Sequence, residues 1–306
     1  GIGPNALYSN TTGYENVAIG QCALYANISG VENTAIGCGA LRSSQTATAN
    51  TAVGRAALGK NTSGLRNVAL GRNAMCANTT ASDNVAIGFQ ALCTNTTGID
   101  NVAVGRNALF ASTTGTGGNV AVGVCAAVGI TTGCFNTIIG KNAGTSLTTP
   151  EGNTFIGKSA GCNAVSGNNN TTLGINAGID GVKNITGTDT HNIVIGNNGN
   201  THAYIKIDWT VTSDLRDKTN IEDVPHGLNF INQITPIKYD FKTSREDDTP
   251  HGTKKYGFKA QEILALEGDN PVIIDNHDLE NLKITGGHLL PVLVNAIKEL
   301  KAEIEL

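Results

Sequence analysis

The sequence has 306 residues and a formal net charge of −4, with 21 Lys and Arg against 25 Asp and Glu. This length suits one large domain or two ordinary ones. The slightly acidic balance offers no basic surface for nucleic acid, and no apolar run approaches the roughly 20 residues of a membrane helix, so we expect neither nucleic-acid binding nor membrane insertion.

The composition changes near residue 200. Residues 201–306 hold 30 of the 46 charged side chains, whereas all seven cysteines lie between Cys22 and Cys162. An odd number of cysteines without a closed Cys-x-x-Cys pair, together with six scattered histidines, argues against a metal site. We expect free thiols packed as small hydrophobic side chains, and no cofactor.

A pentad repeats through residues 1–199. Asn16-Val-Ala-Ile-Gly20 returns as Asn33-Thr-Ala-Ile-Gly37 and then begins again at Asn50, Asn67, Asn84, Asn101, Asn119, Asn136, Asn153, Asn170 and Asn192. The interval is 17 residues, with one of 18 and a last one of 22. Such a unit is too short for a helix pair and too rich in glycine for a helix, and it suits two short strands with two turns. The pattern predicts a β-roll or β-solenoid with one coil per repeat.

The alternation within the pentad predicts which side chains face the core. The fourth position is always aliphatic, as in Ile19, and the second should share its face. The third position is Ala in seven successive units, from Ala18 to Ala121, and then becomes Ile138 and Phe155. We expect the aliphatic column to fill the core and the alanine column to face other chains, with wider packing at Ile138 and Phe155. This arrangement favours a homotrimer.

The remaining repeat positions predict turns. The pentad glycine is expected to end each strand with positive φ, and the pentad asparagines to stack into a hydrogen-bonded ladder between coils. Several Asn-x-Thr/Ser triplets match glycosylation acceptors, but they fall on the turns of the repeat, so we favour turn formation over glycans for Asn10, Asn61, Asn78, Asn95 and Asn170.

The repeat resembles the heads of YadA-like trimeric bacterial adhesins and, more closely, the repeat regions of tail fibres of bacterial viruses. That resemblance implies a rigid trimeric rod that binds a receptor or glycan on the host surface. It places the protein in a virion tail fibre or spike that is assembled in the host cytoplasm.

A second motif lies where the repeat has ended. Ser213-Asp-Leu-Arg-Asp-Lys-Thr-Asn-Ile221 is similar to the opening signature of the intramolecular chaperone of phage endosialidases, the S74 peptidases. Lys255-Tyr-Gly-Phe-Lys-Ala-Gln-Glu262 and Leu289-Leu-Pro-Val-Leu-Val-Asn-Ala-Ile-Lys-Glu-Leu300 are similar to two later blocks of that family.

The resemblance implies autoproteolysis by a Ser/Lys pair, with Ser213 as nucleophile and Lys218 as base. The bond cut would be Thr212–Ser213. Asp214, Arg216 and Asn220 would support the motif. A serine needs an adjacent base to become a good nucleophile, and a lysine serves as that base only when burial or a nearby cation lowers its pKa. Without the resemblance, a serine and a lysine five residues apart in a polar loop are usually solvated surface groups.

The predicted fold is mainly β: a trimeric β-solenoid over 1–199, a connector strand over 200–212, and a small α+β chaperone domain over 213–306. Within the last part we predict a short helix at 229–234, a strand at 237–241 and a charged loop at 245–252. A terminal helix should begin near Gly287, with Pro291 in its first turn.

The terminal helix is predicted to form a coiled coil. Its apolar residues follow a heptad seam at Leu290, Leu293, Ile297, Leu300 and Ile304. The order of Ile and Leu along this seam favours two strands, whereas the family resemblance implies three.

Two alternatives remain open from the sequence. A bacterial surface adhesin would need a membrane-anchor barrel in the full gene, and nothing in residues 200–306 resembles one. A glycan-degrading tail spike would need an acidic pair in a groove, whereas the few acidic residues of the repeat fall in stacked turns.

Overall fold

A computed structural model describes residues 1–115, 117–179, 183–200, 203–204, 213–242 and 245–305. The chain divides into two compact units, Gly1–Asn198 and Gly199–Leu306. The predicted connector strand lies almost entirely outside the described residues. Thr212 also lies outside them. In the described part of the chain, no helix is both long enough and apolar enough to cross a membrane.

The first unit is a β-solenoid whose eleven three-residue strands form one parallel sheet in sequence order. Equivalent pentad positions pair directly, as Ala18 with Ala35 and Ala35 with Ala52. The predicted period and ladder of coils are therefore confirmed. The strands are β1 (Val17–Ile19), β2 (Thr34–Ile36), β3 (Thr51–Val53), β4 (Val68–Leu70), β5 (Val85–Ile87), β6 (Val102–Val104), β7 (Val120–Val122), β8 (Thr137–Ile139), β9 (Thr154–Ile156), β10 (Thr171–Leu173) and β11 (Ile193–Ile195).

Each coil contains one strand, not the two that the repeat length predicted. After the pentad glycine the chain takes left-handed conformations, with φ of 55° at Cys22 and 48° at Leu24, and such residues cannot continue an extended strand. The turns still stack, since Leu24 N–H donates to the Ala40 carbonyl at 3.0 Å. Inter-coil hydrogen bonds thus hold both sides of each coil.

The predicted orientation of the pentad was wrong. The third position lies inside the coil, where Ala35 and its equivalents are fully buried, and the second and fourth positions point outward. The reason is that the Leu of the Gly-x-x-Ala-Leu motif, such as Leu41, fills the interior from the other side of the coil. A strand facing Leu across so thin a coil has room only for Ala.

The large residues of later coils are accommodated inside the coil and not between chains, contrary to the expected wider packing. Ile138 and Phe155 are fully buried. In the same coils the leucine column shrinks to Gly144 and Gly161, and a Cβ at Gly161 would lie 2.4 Å from the Phe155 ring. Volume is exchanged between the two sides of the coil, so close packing is kept.

The pentad glycine is required by conformation and by space. Gly71 has φ of 138°, and a Cβ there would lie 2.5 Å from the Gly88 carbonyl oxygen of the next coil. The prediction of positive φ at this position is confirmed, and the close approach adds a second reason for glycine.

The predicted asparagine ladder is present. Asn84 Nδ2 donates to Asn67 Oδ1 at 3.2 Å and to the Gly98 carbonyl at 3.0 Å, and equivalent links join every pentad asparagine from Asn16 to Asn192. A second column of buried asparagines lies in the turns, where Asn78 Nδ2 donates to Asn61 Oδ1 at 2.9 Å. Most of the Asn-x-Thr/Ser triplets therefore hold buried ladder residues.

The second unit is a small α+β body. It contains a short 3-10 helix (Leu215–Asp217), α1 (Leu228–Asn232), the antiparallel pair β12 (Ile237–Lys242) and β13 (Pro250–Gly257), α2 (Ala260–Glu267), the pair β14 (Ile274–Asp275) and β15 (Lys283–Ile284), a second 3-10 helix (Gly286–His288) and α3 (Leu289–Ile304). The predicted helix, strand and terminal helix are confirmed. The predicted loop at 245–252 is too long, because β13 begins at Pro250.

The core of this unit joins α1, α2 and α3. Phe230, Ile263 and Val292 are among its buried side chains. Polar contacts add to it: Glu299 Oε2 accepts from the Leu228 N–H at 2.6 Å, and Asn295 Nδ2 donates to the Val224 carbonyl at 3.1 Å. These contacts fix one face of α3 against its own chain.

The face of α3 next to this one, about 100° around the helix, is open. The five residues of the predicted heptad seam are exposed, from 40% for Leu293 to 76% for Ile304. In the same helix Leu289, Val292 and Ala296 are buried. Helix α3 thus has two apolar faces, of which one packs on the body of this unit and the other is free for a partner.

Candidate self-cleavage site

The local fold of the motif begins with an N-cap. Asp214 adopts an extended conformation, and its Oδ1 accepts a hydrogen bond from the Arg216 backbone N–H at 2.9 Å. This cap starts the 3-10 helix Leu215–Asp217, as short polar side chains do at helix N-termini. The 3-10 turn thus lies between Ser213 and Lys218.

Asp214 and Arg216 form an ion pair within the motif. Arg216 Nη2 lies 2.6 Å from Asp214 Oδ2, and its Nε lies 3.0 Å from Oδ1. The hydrogen bonds from Arg216 hold the pKa of the Asp214 carboxyl below its usual range, and the same contact raises the pKa of Arg216. The guanidinium of Arg216 is thereby engaged with Asp214.

The turn brings the two predicted catalytic side chains together. Lys218 Nζ donates a hydrogen bond of 2.8 Å to Ser213 Oγ. Lys218 is the C-cap of the 3-10 helix, and its backbone N–H donates to the Leu215 carbonyl. Both side chains are exposed in the single chain.

The remaining motif residues lie apart from this contact. Asn220 is exposed and has φ of 51°, a left-handed conformation that Asn tolerates better than most residues. Its Oδ1 accepts from Thr219 Oγ1 at 3.5 Å. Thr212, which would carry the attacked carbonyl, is outside the described residues.

The later sequence block contributes structure near α1. Glu262, the last residue of the Tyr-Gly-Phe block, accepts a hydrogen bond from Thr235 Oγ1 at 3.1 Å.

Two other glutamates make structural contacts. Glu267 accepts hydrogen bonds from the backbone N–H groups of Val272, Ile273 and Ile274 at 2.7–3.0 Å. Glu267 and Glu299 were not singled out from the sequence. Only the fold brings Glu299 to its partner at Leu228, so the sequence holds no local signal for it.

The arrangement has the two groups that nucleophilic catalysis needs, a hydroxyl and an amine in direct contact. Across the described residues, no group of three or more His, Cys, Asp or Glu side chains could hold a metal ion. The chemistry that these side chains support is acyl transfer to a serine oxygen.

Comparison with known proteins bears on the second unit. Residues 213–270 match the family described as chaperone of endosialidase, Peptidase S74. The match begins at Ser213, includes Lys218 and the block that ends at Glu262, and stops before α3. A search of curated proteins and a search of solved structures each found no match. The chain therefore carries an endosialidase-type chaperone region at 213–270 behind a β-solenoid of 17-residue repeats, and this combination fits a tail fibre with a C-terminal chaperone domain.

Proposed function

We propose that this chain is a segment of a virion tail fibre or spike that serves host attachment, and that residues 213–306 are a trimerisation chaperone that releases itself by cutting the Thr212–Ser213 bond. One observation carries the proposal. The Lys218 Nζ to Ser213 Oγ contact of 2.8 Å lies at the first residue of the chaperone match. A nucleophile at that position attacks the bond that joins chaperone and shaft.

The proposed chemistry starts with Ser213 Oγ and the carbonyl carbon of Thr212. Lys218 takes the hydroxyl proton as Oγ attacks, and the amide nitrogen of Ser213 leaves as an amine after it receives that proton. This N-to-O shift links Thr212 to Ser213 through an ester, which water hydrolyses. The reaction happens once per chain, and we propose no activity on other substrates.

This step depends on the surroundings of Lys218. A lysine accepts a proton near neutral pH only after burial or a nearby cation lowers its pKa. Lys218 is exposed, and the neighbouring Arg216 is paired with Asp214. We propose that subunit docking buries the pair, so that cleavage follows assembly.

Two exposed apolar surfaces support a homotrimer. One is the open face of α3. The other is the outer face of the solenoid sheet, where the second and fourth pentad residues include Val17 (46% exposed), Leu70 (45%) and Leu173 (47%). Exposed apolar surface of this extent is typical of subunit interfaces. Because the alanine column is buried inside the coil, these exposures support a role in assembly for the aliphatic column instead.

Assembly of identical repeats creates a need for a chaperone. Each coil resembles the next, so chains can align one coil out of step at little cost. A terminal domain that trimerises first sets the alignment before the coils pack. Loss of the domain afterwards makes the assembly hard to reverse, which gives the shaft kinetic stability.

Expression of residues 1–306, followed by denaturing gels of boiled and unboiled samples, tests this function. We expect a 212-residue and a 94-residue product, with the larger one migrating as a trimer when unboiled, and one full-length band for Ser213→Ala. A wild-type chain that forms trimers yet stays whole would contradict the proposed self-cleavage but not the proposed chaperone role. Soluble trimers from residues 1–212 expressed alone would contradict the chaperone role.

A further inference from the structure

The repeat places two cysteines on top of each other. Cys76 and Cys93 are 17 residues apart, which is one period of the solenoid. None of the other five cysteines has a cysteine 17 residues away; for example, Cys125 has Asn142 at that distance. This is therefore the one pair of thiols that the repeat brings into equivalent positions of adjacent coils.

The two sulfur atoms point at each other. Their separation is 2.7 Å, and Cys76 Sγ also lies 3.5 Å from the Cys93 carbonyl oxygen. Beside them, Ala77 N–H donates to the Cys93 carbonyl at 3.0 Å, which fixes the two coils together at this point. Neighbouring strands lie roughly 4.8 Å apart, and disulfides span Cα separations of about 4.4–6.8 Å. A covalent bond here needs no movement of the coils.

The surroundings make the two thiols unequal. Cys93 is 7% exposed, whereas Cys76 is partly exposed. The equivalent residue of the preceding coil is Gly59, which leaves Cys76 open on that side, while Phe110 follows Cys93. The hydrogen bond with Cys93, with a further contribution from the Lys60 charge, lowers the pKa of Cys76 to about 7. The same hydrogen bond raises the pKa of Cys93. Cys76 is thus both the more accessible thiol and the one that loses its proton more readily.

We propose that Cys76 and Cys93 form a disulfide that joins two adjacent coils of the solenoid once the protein leaves a reducing compartment. The oxidant is a small external disulfide of the glutathione type. The Cys76 thiolate attacks it, a mixed disulfide forms, and one glutathione thiolate leaves. Cys93 then loses its proton and attacks the Cys76 sulfur, which expels the second glutathione. Two protein thiols are oxidised by two electrons, and one external disulfide is reduced to two thiols.

The bond would lock the shaft after assembly and not during it. In a reducing cytosol the thiols stay free, so the coils can adjust as they pack. Outside the cell the link closes between the coils of β4 and β5. A cross-link between coils removes the local opening from which a solenoid can unravel.

Thiol counting and peptide mapping of the full chain test the proposal. With oxidised glutathione, the seven free thiols should fall to five, and mass spectrometry should find the Cys76 and Cys93 peptides joined until a reductant is added. Cys125→Ser, a matched control on another coil, should also lose two thiols to the same bond. Cys76→Ser and Cys93→Ser should form no such link.

Three results would overturn the proposal. They are a wild-type chain that keeps all its thiols, a stable mixed disulfide at Cys76 that never resolves, and cross-links that join other cysteines or separate chains. The wild-type measurement needs no variant, so it decides the matter even if a serine variant folds poorly.

Discussion

The ring of Phe155 occupies the space that a leucine fills in the earlier coils, because its partner across the coil is Gly161. Leu24 and Gly161 hold equivalent positions and share a left-handed backbone, with φ of 48° and 57°. Glycine at 161 is therefore required by the ring and not by the backbone. This relationship makes the two columns of the core interdependent, and it gives a direct test of the packing.

Replacement of Gly161 by Ala should destabilise the shaft, since the new methyl group would meet the Phe155 ring. Overpacking of this kind typically costs about 1–3 kcal/mol. The matched control is Gly39→Ala, which has similar positive φ but open space around the added Cβ. Thermal unfolding of the two variants should separate them, and equal losses would show that backbone strain, not the ring, decides.

The same pair predicts a compensating exchange. Phe155→Ala should leave a cavity and cost on the order of 3–5 kcal/mol. Adding Gly161→Leu rebuilds the Ala and Leu combination of the earlier coils and should recover most of that loss. A double variant no more stable than Phe155→Ala alone would contradict the exchange of volume across the coil.

The second column of buried asparagines, in the turns, has a serine at residue 44, and this predicts a stabilising substitution. Within the described residues, the buried Ser44 Oγ and Asn27 Oδ1 have no hydrogen-bond partner. An asparagine at 44 can donate to Asn27 as Asn27 itself donates to Asn10 Oδ1 at 2.6 Å. Ser44→Asn should therefore stabilise the shaft by about 1 kcal/mol. Ser43→Asn, beside the ladder, should change little, and an unfolding curve that falls for Ser44→Asn would contradict the account.

An ion pair between coils predicts a dependence on pH. Arg66 Nε and Nη2 donate to the Asp83 carboxylate at 2.6 and 2.7 Å, which lowers the pKa of Asp83 from 3.8. A carboxyl with a lowered folded-state pKa stabilises above its unfolded pKa, and that contribution is lost as pH falls through the folded value.

Asp83→Asn should thus give a small decrease in melting temperature at neutral pH, small because the pair is exposed. The gap to wild type should close below about pH 4. Glu32→Gln, at the equivalent turn position of an earlier coil, serves as the control, since no ion pair joins Glu32 to another described residue. A difference in melting temperature between Asp83→Asn and wild type that grows as the pH falls would contradict the prediction.

The open face of α3 predicts a variant that separates assembly from folding. Ile297 is 66% exposed in the single chain, so Ile297→Asp should leave the subunit core intact and remove the trimer. Because cleavage is proposed to need a docked partner, the same variant should accumulate full-length chain. Glu303→Gln, also exposed on α3, should trimerise and cut normally. Monomers of Ile297→Asp that still cleave at the wild-type rate would contradict the dependence on assembly.

The period of the repeat predicted the stacking of the coils, but it did not predict which side chains face the core. The 17-residue interval predicts parallel coils in register and an asparagine ladder, because both follow from equal spacing alone. The direction of Ala18 does not follow, since an alternating strand has two faces and the pattern is the same whichever is buried. Leu24, which lies in a turn, decides the orientation, and its role depends on a left-handed backbone that the sequence does not reveal.

The candidate site shows a similar division. Ser213 and Lys218 could be named from the motif, and a tight turn over Leu215–Asp217 brings them together. Contacts such as Glu299 with Leu228 join residues 71 positions apart, and only the tertiary fold creates them. Lys218 is exposed in the single chain, and the burial that a lysine base requires is part of the proposal that cleavage follows assembly.

The most direct test of self-cleavage is the N-terminus of the small product. Intact mass and N-terminal sequencing of the released fragment should give a chain that begins with Ser213 and ends at Leu306, with no such fragment from Ser213→Ala or Lys218→Ala. A fragment that begins at another residue, or a Ser213→Ala chain that is still cut at the same bond, would contradict the account.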